Sequence, residues 1–236
     1  MEQKQLQLQP RLALLAALVP PGSRLADVGT DHGYLPVYLL QQGRIPSAIA
    51  ADIGAEPLEH ARRTAGECNV TGLELRLCDG LAAIHPDEVD TVAIAGMGGE
   101  TICAILQAAP WVGDGRHTLL LQPQSKAPEL RAFLTEHGFA IVRERLARDR
   151  GTLYPVLEAR AGEQALPPGR LWAGAHITAD PLGNRHLIEQ IVRLQTTLAG
   201  LKRSAAPADR EKADRLRAVI TALLALREEW RNANGT

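Results

Sequence analysis

Aromatic side chains are scarce in this chain: two Phe, three Tyr and three Trp, 3% of its 236 residues. Any core must be built mainly from Leu, Ala, Val and Ile, and a hydrophobic fraction of 45% is enough for a sizeable one. The length suits one ordinary domain plus a smaller one. No apolar run reaches the ~18 residues of a membrane span, so no membrane partner is expected. Met1 to Pro10 is Gln-rich and lacks a signal-peptide pattern, which points to the cytoplasm. The three cysteines, Cys68, Cys78 and Cys103, have no Cys-x-x-Cys or Cys/His ligand spacing. Reduced thiols and no metal centre are the expectation. Internal repeats and low-complexity segments are also lacking. Neither charge sign dominates, yet the charge is uneven. Residues 1–180 carry 16 Lys+Arg against 21 Asp+Glu, a balance of −5, and residues 181–236 carry 10 against 6, a balance of +4. The basic end hints at a polyanionic partner, although a solvated helical surface would give the same imbalance.

What is present is organised around Arg24 to Pro36. Leu25-Ala26-Asp27-Val28 is a short apolar run with one acid, bounded by Pro20-Pro21-Gly22-Ser23 and by Gly29. It reads as a buried strand ending in a tight turn. Gly29 and Gly33 let backbone pass close to a ligand. Leu35, Val37, Leu39 and Leu40 follow on a predicted helix, so strand, glycine turn and helix form the first unit of a doubly wound nucleotide site. The dinucleotide pattern G-x-G-x-x-G is not met, because Asp31 stands where the second glycine would be. An acid there repels a pyrophosphate. Asp27 and Asp31 instead suit a ligand with a cationic end, such as the amino group and sulfonium of S-adenosylmethionine. Strand–glycine turns occur in many α/β folds, so this stretch does not decide alone.

An N-terminal helix carries Leu12, Leu15, Ala16 and Val19 on one face. Further strands are predicted over Pro46–Ile53, Leu73–Leu77, Val89–Ala95 and His117–Gln122, with helices over Glu56–Glu67, about Glu100–Gln107 and Pro128–Gly138 between them. This alternation argues a mainly parallel sheet with helices on both faces. Ala140–Arg148 and Thr152–Ala159, joined at Asp149-Arg150-Gly151, are too close for a parallel crossover and form an antiparallel edge hairpin. The fold class is α/β, in the Rossmann-like methyltransferase variant of the sheet. Ala165-Leu166-Pro167-Pro168-Gly169 marks a boundary between residues 1–164 and 165–236. Beyond it, Leu187, Ile191, Leu194, Leu198 and Leu201, then Val219, Leu223, Leu226 and Trp230, predict two amphipathic helices in a coiled-coil hairpin, turning at Ser204–Asp209.

Ligands of open α/β sheets bind at the carboxyl ends of the strands. Four loops converge there. The first carries Asp27, Gly29, Thr30, Asp31, His32 and Gly33. The second carries Asp52, able to take both ribose hydroxyls, and Ile53. The third carries Asp79 and Gly80, where a carboxylate can accept from an adenine amino group. The fourth carries Ala95, Gly96, Met97, Gly98 and Gly99, where three glycines leave room for a planar ring, or else let a helix pack closely on the sheet. His32 and Tyr34 stand beside the donor site, and Tyr34 offers a stacking face for a base. Asp31, His32, Tyr34, Gly96 and Met97 are the candidate catalytic residues.

In order, the motifs Asp27-Val28-Gly29-Thr30-Asp31-His32-Gly33-Tyr34-Leu35-Pro36, Ala50-Ala51-Asp52, Asp79-Gly80-Leu81, Ile94-Ala95-Gly96-Met97-Gly98-Gly99 and Leu121-Gln122-Pro123 resemble the bacterial tRNA (adenine-N1)-methyltransferases that modify adenine 22 in the D-arm region. The resemblance spans roughly residues 10–160. It implies S-adenosylmethionine as donor, S-adenosylhomocysteine as product, tRNA as partner, and a C-terminal coiled coil that assists tRNA binding. One departure is Pro155, where the family has an acid after the tyrosine; an edge or bulge is expected there. Adenine N1 keeps a lone pair in the neutral base, so no strong general base is required, and Asp31 is placed to stabilise the product cation or accept an N6 proton. Phosphate contacts are expected from Arg193, Lys202, Arg203, Arg210, Arg215 and Arg217, and from Arg143, Arg145, Arg148 and Arg150. A monomer is expected. Other classes are a methyltransferase of the same fold acting on another RNA, a protein or a small molecule, a non-catalytic interaction protein, and, disfavoured by Asp31, an NAD-linked enzyme.

Overall fold

The computed structural model describes residues 5–201 and 207–235. Lys202, Arg203 and the Ser204–Ala206 part of the expected turn lie outside them. The chain divides into two units, one of residues 1–142 and 147–164, the other of residues 143–146 and 165–236.

The first unit opens with α1 (Pro10–Leu18), whose Leu15, Ala16 and Leu18 are buried. Then β1 (Leu25–Val28), α2 (Tyr34–Gln41), β2 (Ala48–Asp52), α3 (Ala55–Glu67), β3 (Leu73–Leu77), β4 (Thr91–Gly98), α4 (Gly99–Ala108), β5 (Thr118–Ser125) and α5 (Ala127–Glu136) alternate, before β6 (Phe139–Asp149) and β7 (Thr152–Ala161) close the sheet. Its strand order is β3-β2-β1-β4-β5-β7-β6. β1 pairs in parallel with β2 and β4, β2 with β3, and β4 with β5, whereas β7 runs antiparallel to β5. All four residues of β1 are buried, as befits a central strand covered on both faces. α3 buries Leu58, Ala61 and Thr64 at helical spacing, and Pro57 sits in its first turn. Arg150 and Gly151 both have positive φ, 48° and 88°, the backbone that a two-residue hairpin turn requires.

Two sequence expectations are revised. β4 does not stop at Ala95 but continues to Gly98, so the fourth loop is a strand end; register shifts against β5 on either side of Met97 let pairing continue through the glycines. Pro155 is neither at the sheet's edge nor solvent-exposed: β7 lies between β5 and β6, and Pro155 is buried. Its register with β5 begins at Leu157, so the missing N–H falls outside that ladder.

The second unit holds α6 (Pro168–Ala173), a 3-10 turn at Ile177–Ala179, α7 (Gly183–Leu201) and α8 (Pro207–Asn234). The two long helices are antiparallel, since the start of α7 meets the end of α8: Arg227 Nε donates to Asn184 Oδ1 at 3.0 Å, and a Cβ on Gly183 would strike the Trp230 ring. Leu187, Ile191, Leu194, Leu216, Val219, Leu223, Leu226 and Trp230 form one buried cluster with Leu146, Ala173 and Ile177. Asp180, 3% exposed, ties the unit together. Its carboxylate accepts from Leu146 N (2.9 Å), Leu182 N (2.8 Å) and Arg145 Nε (3.2 Å), and its carbonyl accepts from Trp230 Nε1 (2.7 Å). Arg145 thus pairs with a buried acid through Nε while its side chain stays 54% exposed. Among the described residues no helix is long and apolar enough to cross a membrane.

Candidate functional site

The carboxyl ends of β1, β2, β3 and β4 surround two cavities of the first unit. Gly29, directly after β1, lines both. Its φ of +75° is a conformation L side chains avoid, and a Cβ there would strike the Met97 methyl. Gly29 and Thr30 both donate their N–H to Ala51 O (2.8 and 3.1 Å), which pins the turn to β2. Gly33, φ +65°, caps α2; a Cβ on it would lie 2.9 Å from the Ala61 side chain, so only glycine lets α2 and α3 approach this closely.

The rear cavity, about 460 Å³, has a polar rim and an apolar wall. Asp52 and Ile53 come from the end of β2, Asp79 and Gly80 from the turn after β3, and Met97 from β4, while Thr101, Ala104, Ile105 and Ala108 of α4 supply the wall. One Asp52 oxygen accepts from Gly54 N at 2.7 Å, which fixes the carboxylate at the strand end and leaves its second oxygen for a ligand. Gly80 has φ +54°, and a Cβ there would press on Ile105 at 3.1 Å. Cys78, at the same rim, donates its thiol to Gly80 O (3.4 Å).

The front cavity, about 480 Å³, is lined by Asp27, Thr30, Asp31, His32, Gly33, Tyr34, Ala95 and Gly96, together with Gln9, Arg11, Leu12 and Gln124. At its inner end Asp27 is 7% exposed and accepts from Thr30 Oγ1 at 2.7 Å. Burial, reinforced by the nearby Asp52 carboxylate and opposed by the Thr30 hydroxyl, pushes its carboxyl up to about 6. A buried acid with that pKa favours a cationic ligand group beside it. Asp31 is solvent-facing, 3.5 Å from His32 Nε2 and 4.0 Å from His60 Nδ1. The His32 ring stacks between Tyr34 and His60, with centroids 5.0 and 4.7 Å apart and planes within 11° of parallel. Asp31, His32 and His60 bring ligand atoms within 4.8 Å of one another. Parallel imidazoles aim their lone pairs along parallel planes, which does not converge on one ion.

Of the residues singled out from the sequence for donor or catalytic work, all but Gly98 and Gly99 of the fourth loop line one cavity or the other. The triple glycine resolves into two causes. Gly96, φ +80°, opens onto the front cavity, whereas a Cβ on Gly99 would strike the Lys126 carbonyl, so Gly99 serves helix packing. Sequence reading missed Arg11, Gln124 and the α4 wall. Arg11 is held by Asp149 (3.4 Å) and Gln122 Oε1 (3.3 Å), and its guanidinium lies 6.0 Å from the Tyr154 ring centre.

A carboxylate that can grip a polyol, an apolar slot for a flat ring and a buried acid make a site for an adenosine carrying a cationic tail. Comparison with known proteins agrees. Residues 8–157 match the family model described as a methyltransferase domain. The tRNA (adenine(22)-N(1))-methyltransferase of Bacillus subtilis (strain 168) is 35% identical over 161 residues, 68% of each chain. The crystal structure of the B. subtilis m1A22 tRNA methyltransferase superposes with a TM-score of 0.85 at 27% identity, covering 94% of this chain and 99% of that one. A Streptococcus pneumoniae protein described as a putative tRNA (m1A22) methyltransferase, in complex with S-adenosyl-L-methionine, gives 0.81 at 30% identity, covering 94% and 100%. The chain belongs to the family of tRNA (adenine(22)-N(1))-methyltransferases.

Proposed function

We propose that this protein transfers the methyl group of S-adenosylmethionine to N1 of adenine 22 in the D-arm region of tRNA, acting as a cytoplasmic monomer and leaving S-adenosylhomocysteine. The observation that carries the reading is the meeting of the two cavities at Gly29, between a buried acid and a glycine-lined strand end. The residues present fit the donor. Asp52 offers its second oxygen to the ribose hydroxyls, Asp79 and Gly80 edge the slot for the adenine, and Asp27 faces the methionine ammonium. Ile53 covers the ribose side; Thr30 holds Asp27, and Gly33 and Ala95 border the tail. When bound, S-adenosylmethionine supplies an electrophilic methyl on a positively charged sulfur.

The chain's own contribution is mostly placement. N1 lies on the Watson–Crick edge, so the protein must accept an unpaired adenine or turn one out of its helix. The neutral base attacks with its in-plane lone pair, so no residue needs to remove a proton first. Gly96 leaves space for the ring, Tyr34 and His32 offer stacking faces, and Met97 borders the line of attack; holding N1 on that line supplies most of the rate. Methylation makes the base cationic, and Asp31 at the rim stabilises that charge or accepts the N6 proton. Residues 1–164 carry this chemistry, and residues 165–236 contribute exposed arginines to phosphate binding. Arg215 and Arg217 each pair locally, with Glu211 and Asp214, and exchange those partners for phosphates.

Incubating the protein with labelled S-adenosylmethionine and unmodified bulk tRNA, then mapping the label, tests the reading. Label on N1 of adenine 22 supports it. Label on another nucleotide, or none, refutes it.

A further inference from the structure

We infer that Gln124 selects adenine at the acceptor site by reading the edge of the base opposite the one being methylated. The inference rests on the acceptor being adenine N1, as proposed above. Chemistry restricts how that base can be recognised. N1 must stay bare toward the donor, so recognition falls to N6 and N7. On that edge adenine presents one donor and one acceptor, the pattern that a carboxamide matches with two hydrogen bonds, whereas guanine presents two acceptors.

The structure offers a carboxamide in the right place. Gln124 lies on β5, one residue past the Gln122-Pro123 pair, and lines the front cavity. Its Nε2 stands 3.6 Å from where a Cβ on Gly96 would be, so the amide overhangs the bare backbone that gives the ring its space. Gln124 is exposed, and its carboxamide has no hydrogen bond among the described residues. Its neighbour Gln122 is 1% exposed and already committed, accepting from Arg11 Nη1 and donating to Pro123 O (3.0 Å). Gln9, the other carboxamide in this cavity, sits at the N-cap of α1 and brings no atom within 4 Å of that point over Gly96. Gln124 is also held more firmly: β5 pairs with β4 at Met97–Pro123 and Gly98–Ser125, on either side of it. Arg11 Nη1 approaches the same point over Gly96 from 3.8 Å, but it has only donors to offer and cannot accept from N6.

The test uses full-length tRNA carrying adenosine or 7-deazaadenosine at position 22, with the intact wild-type chain and Gln124→Ala. Single-turnover rates and tRNA affinity in the presence of S-adenosylhomocysteine are measured. Replacing N7 by carbon makes the ring more electron-rich, so any loss reflects recognition rather than a weaker nucleophile. Wild type is expected to lose about 2- to 12-fold on the analogue, the value of the one hydrogen bond that N7 accepts. Gln124→Ala, which forfeits both bonds, loses about 5- to 150-fold on adenosine and nothing further on the analogue. Gln124→Glu, which can accept from N6 but repels N7, should prefer the analogue to adenosine. Equal losses on the analogue for wild type and Gln124→Ala would overturn the assignment. If wild type fails to methylate the adenosine substrate at all, the proposed function falls instead.

Discussion

Replacing Asp27 by Asn should stabilise the donor-free protein while crippling donor binding. Asp27 is buried at the end of the central strand, with a single hydrogen bond to its carboxylate among the described residues, from Thr30 Oγ1. Burial raises its pKa from 3.8 to about 6. The folded state therefore binds the proton more tightly than the unfolded chain. Stability from this group is present in full below about pH 4 and lost as the pH rises through 6. A rise of about 2 units corresponds to at most ~3 kcal/mol, and local relaxation reduces it to about 1–3 kcal/mol. Asn is neutral at every pH, and its carbonyl can accept the Thr30 hydroxyl as the carboxylate does. At pH 8 Asp27→Asn should melt roughly 2–12 °C higher than wild type, and at pH 4 the two should melt together. Calorimetric titration with S-adenosylmethionine at pH 8 should show the opposite ranking, with the variant losing at least about tenfold, a charged contact of ~1.4 kcal/mol. Wild-type affinity should rise between pH 5 and 7 as Asp27 gives up its proton. An Asp27→Asn variant that melts lower at pH 8, gains equally at both pH values, or binds the donor normally would refute the reasoning.

Other outcomes follow from the same structure. Gly33→Ala forces a left-handed backbone onto alanine and presses its Cβ on Ala61; a loss of about 1–2 kcal/mol in denaturant melts is expected, with weakened donor binding. Asp180→Ala strips the partner from Leu146 N, Leu182 N and Arg145, so about 2–4 kcal/mol should be lost. Hydrogen exchange should show that loss in residues 165–235, with donor affinity unchanged. Replacing Arg193, Arg210, Arg215 and Arg217 together by Ala should flatten the salt dependence of tRNA binding by about 2–4 in log–log slope and leave donor affinity intact; an unchanged slope would remove the helices from the RNA contact.

The parts of the site that are readable from the sequence are those set by short-range chemistry. Leu25 to Leu35 encodes a strand, a turn that only glycine permits and a helix start within a dozen residues, and Asp52 and Asp79 follow strand ends in the same way. Arg11 and Gln124 are not readable, because their meaning depends on partners far off in sequence; Arg11 meets Gln122 across 111 positions. Adjacent glycines are indistinguishable as letters, although Gly96 opens a cavity and Gly99 lets a helix touch a carbonyl. Helix α6 escapes a reading of the sequence because Pro167-Pro168-Gly169 looks like a linker, while Pro168 in fact begins a helix, at a position where the N–H that proline lacks would have had no partner in the helix.

The midpoint of β6 carries a practical lesson for anyone dissecting this enzyme with scissors. Residues 143–146 group with the helical unit: Leu146 belongs to its apolar cluster, and Glu144 accepts from Ala175 N at 2.7 Å. A cut at residue 165 therefore strands a buried carboxylate on one fragment and an unfilled hole in the other. Point substitutions on the helices, rather than truncation, are the way to test them for RNA capture without confounding the result with misfolding.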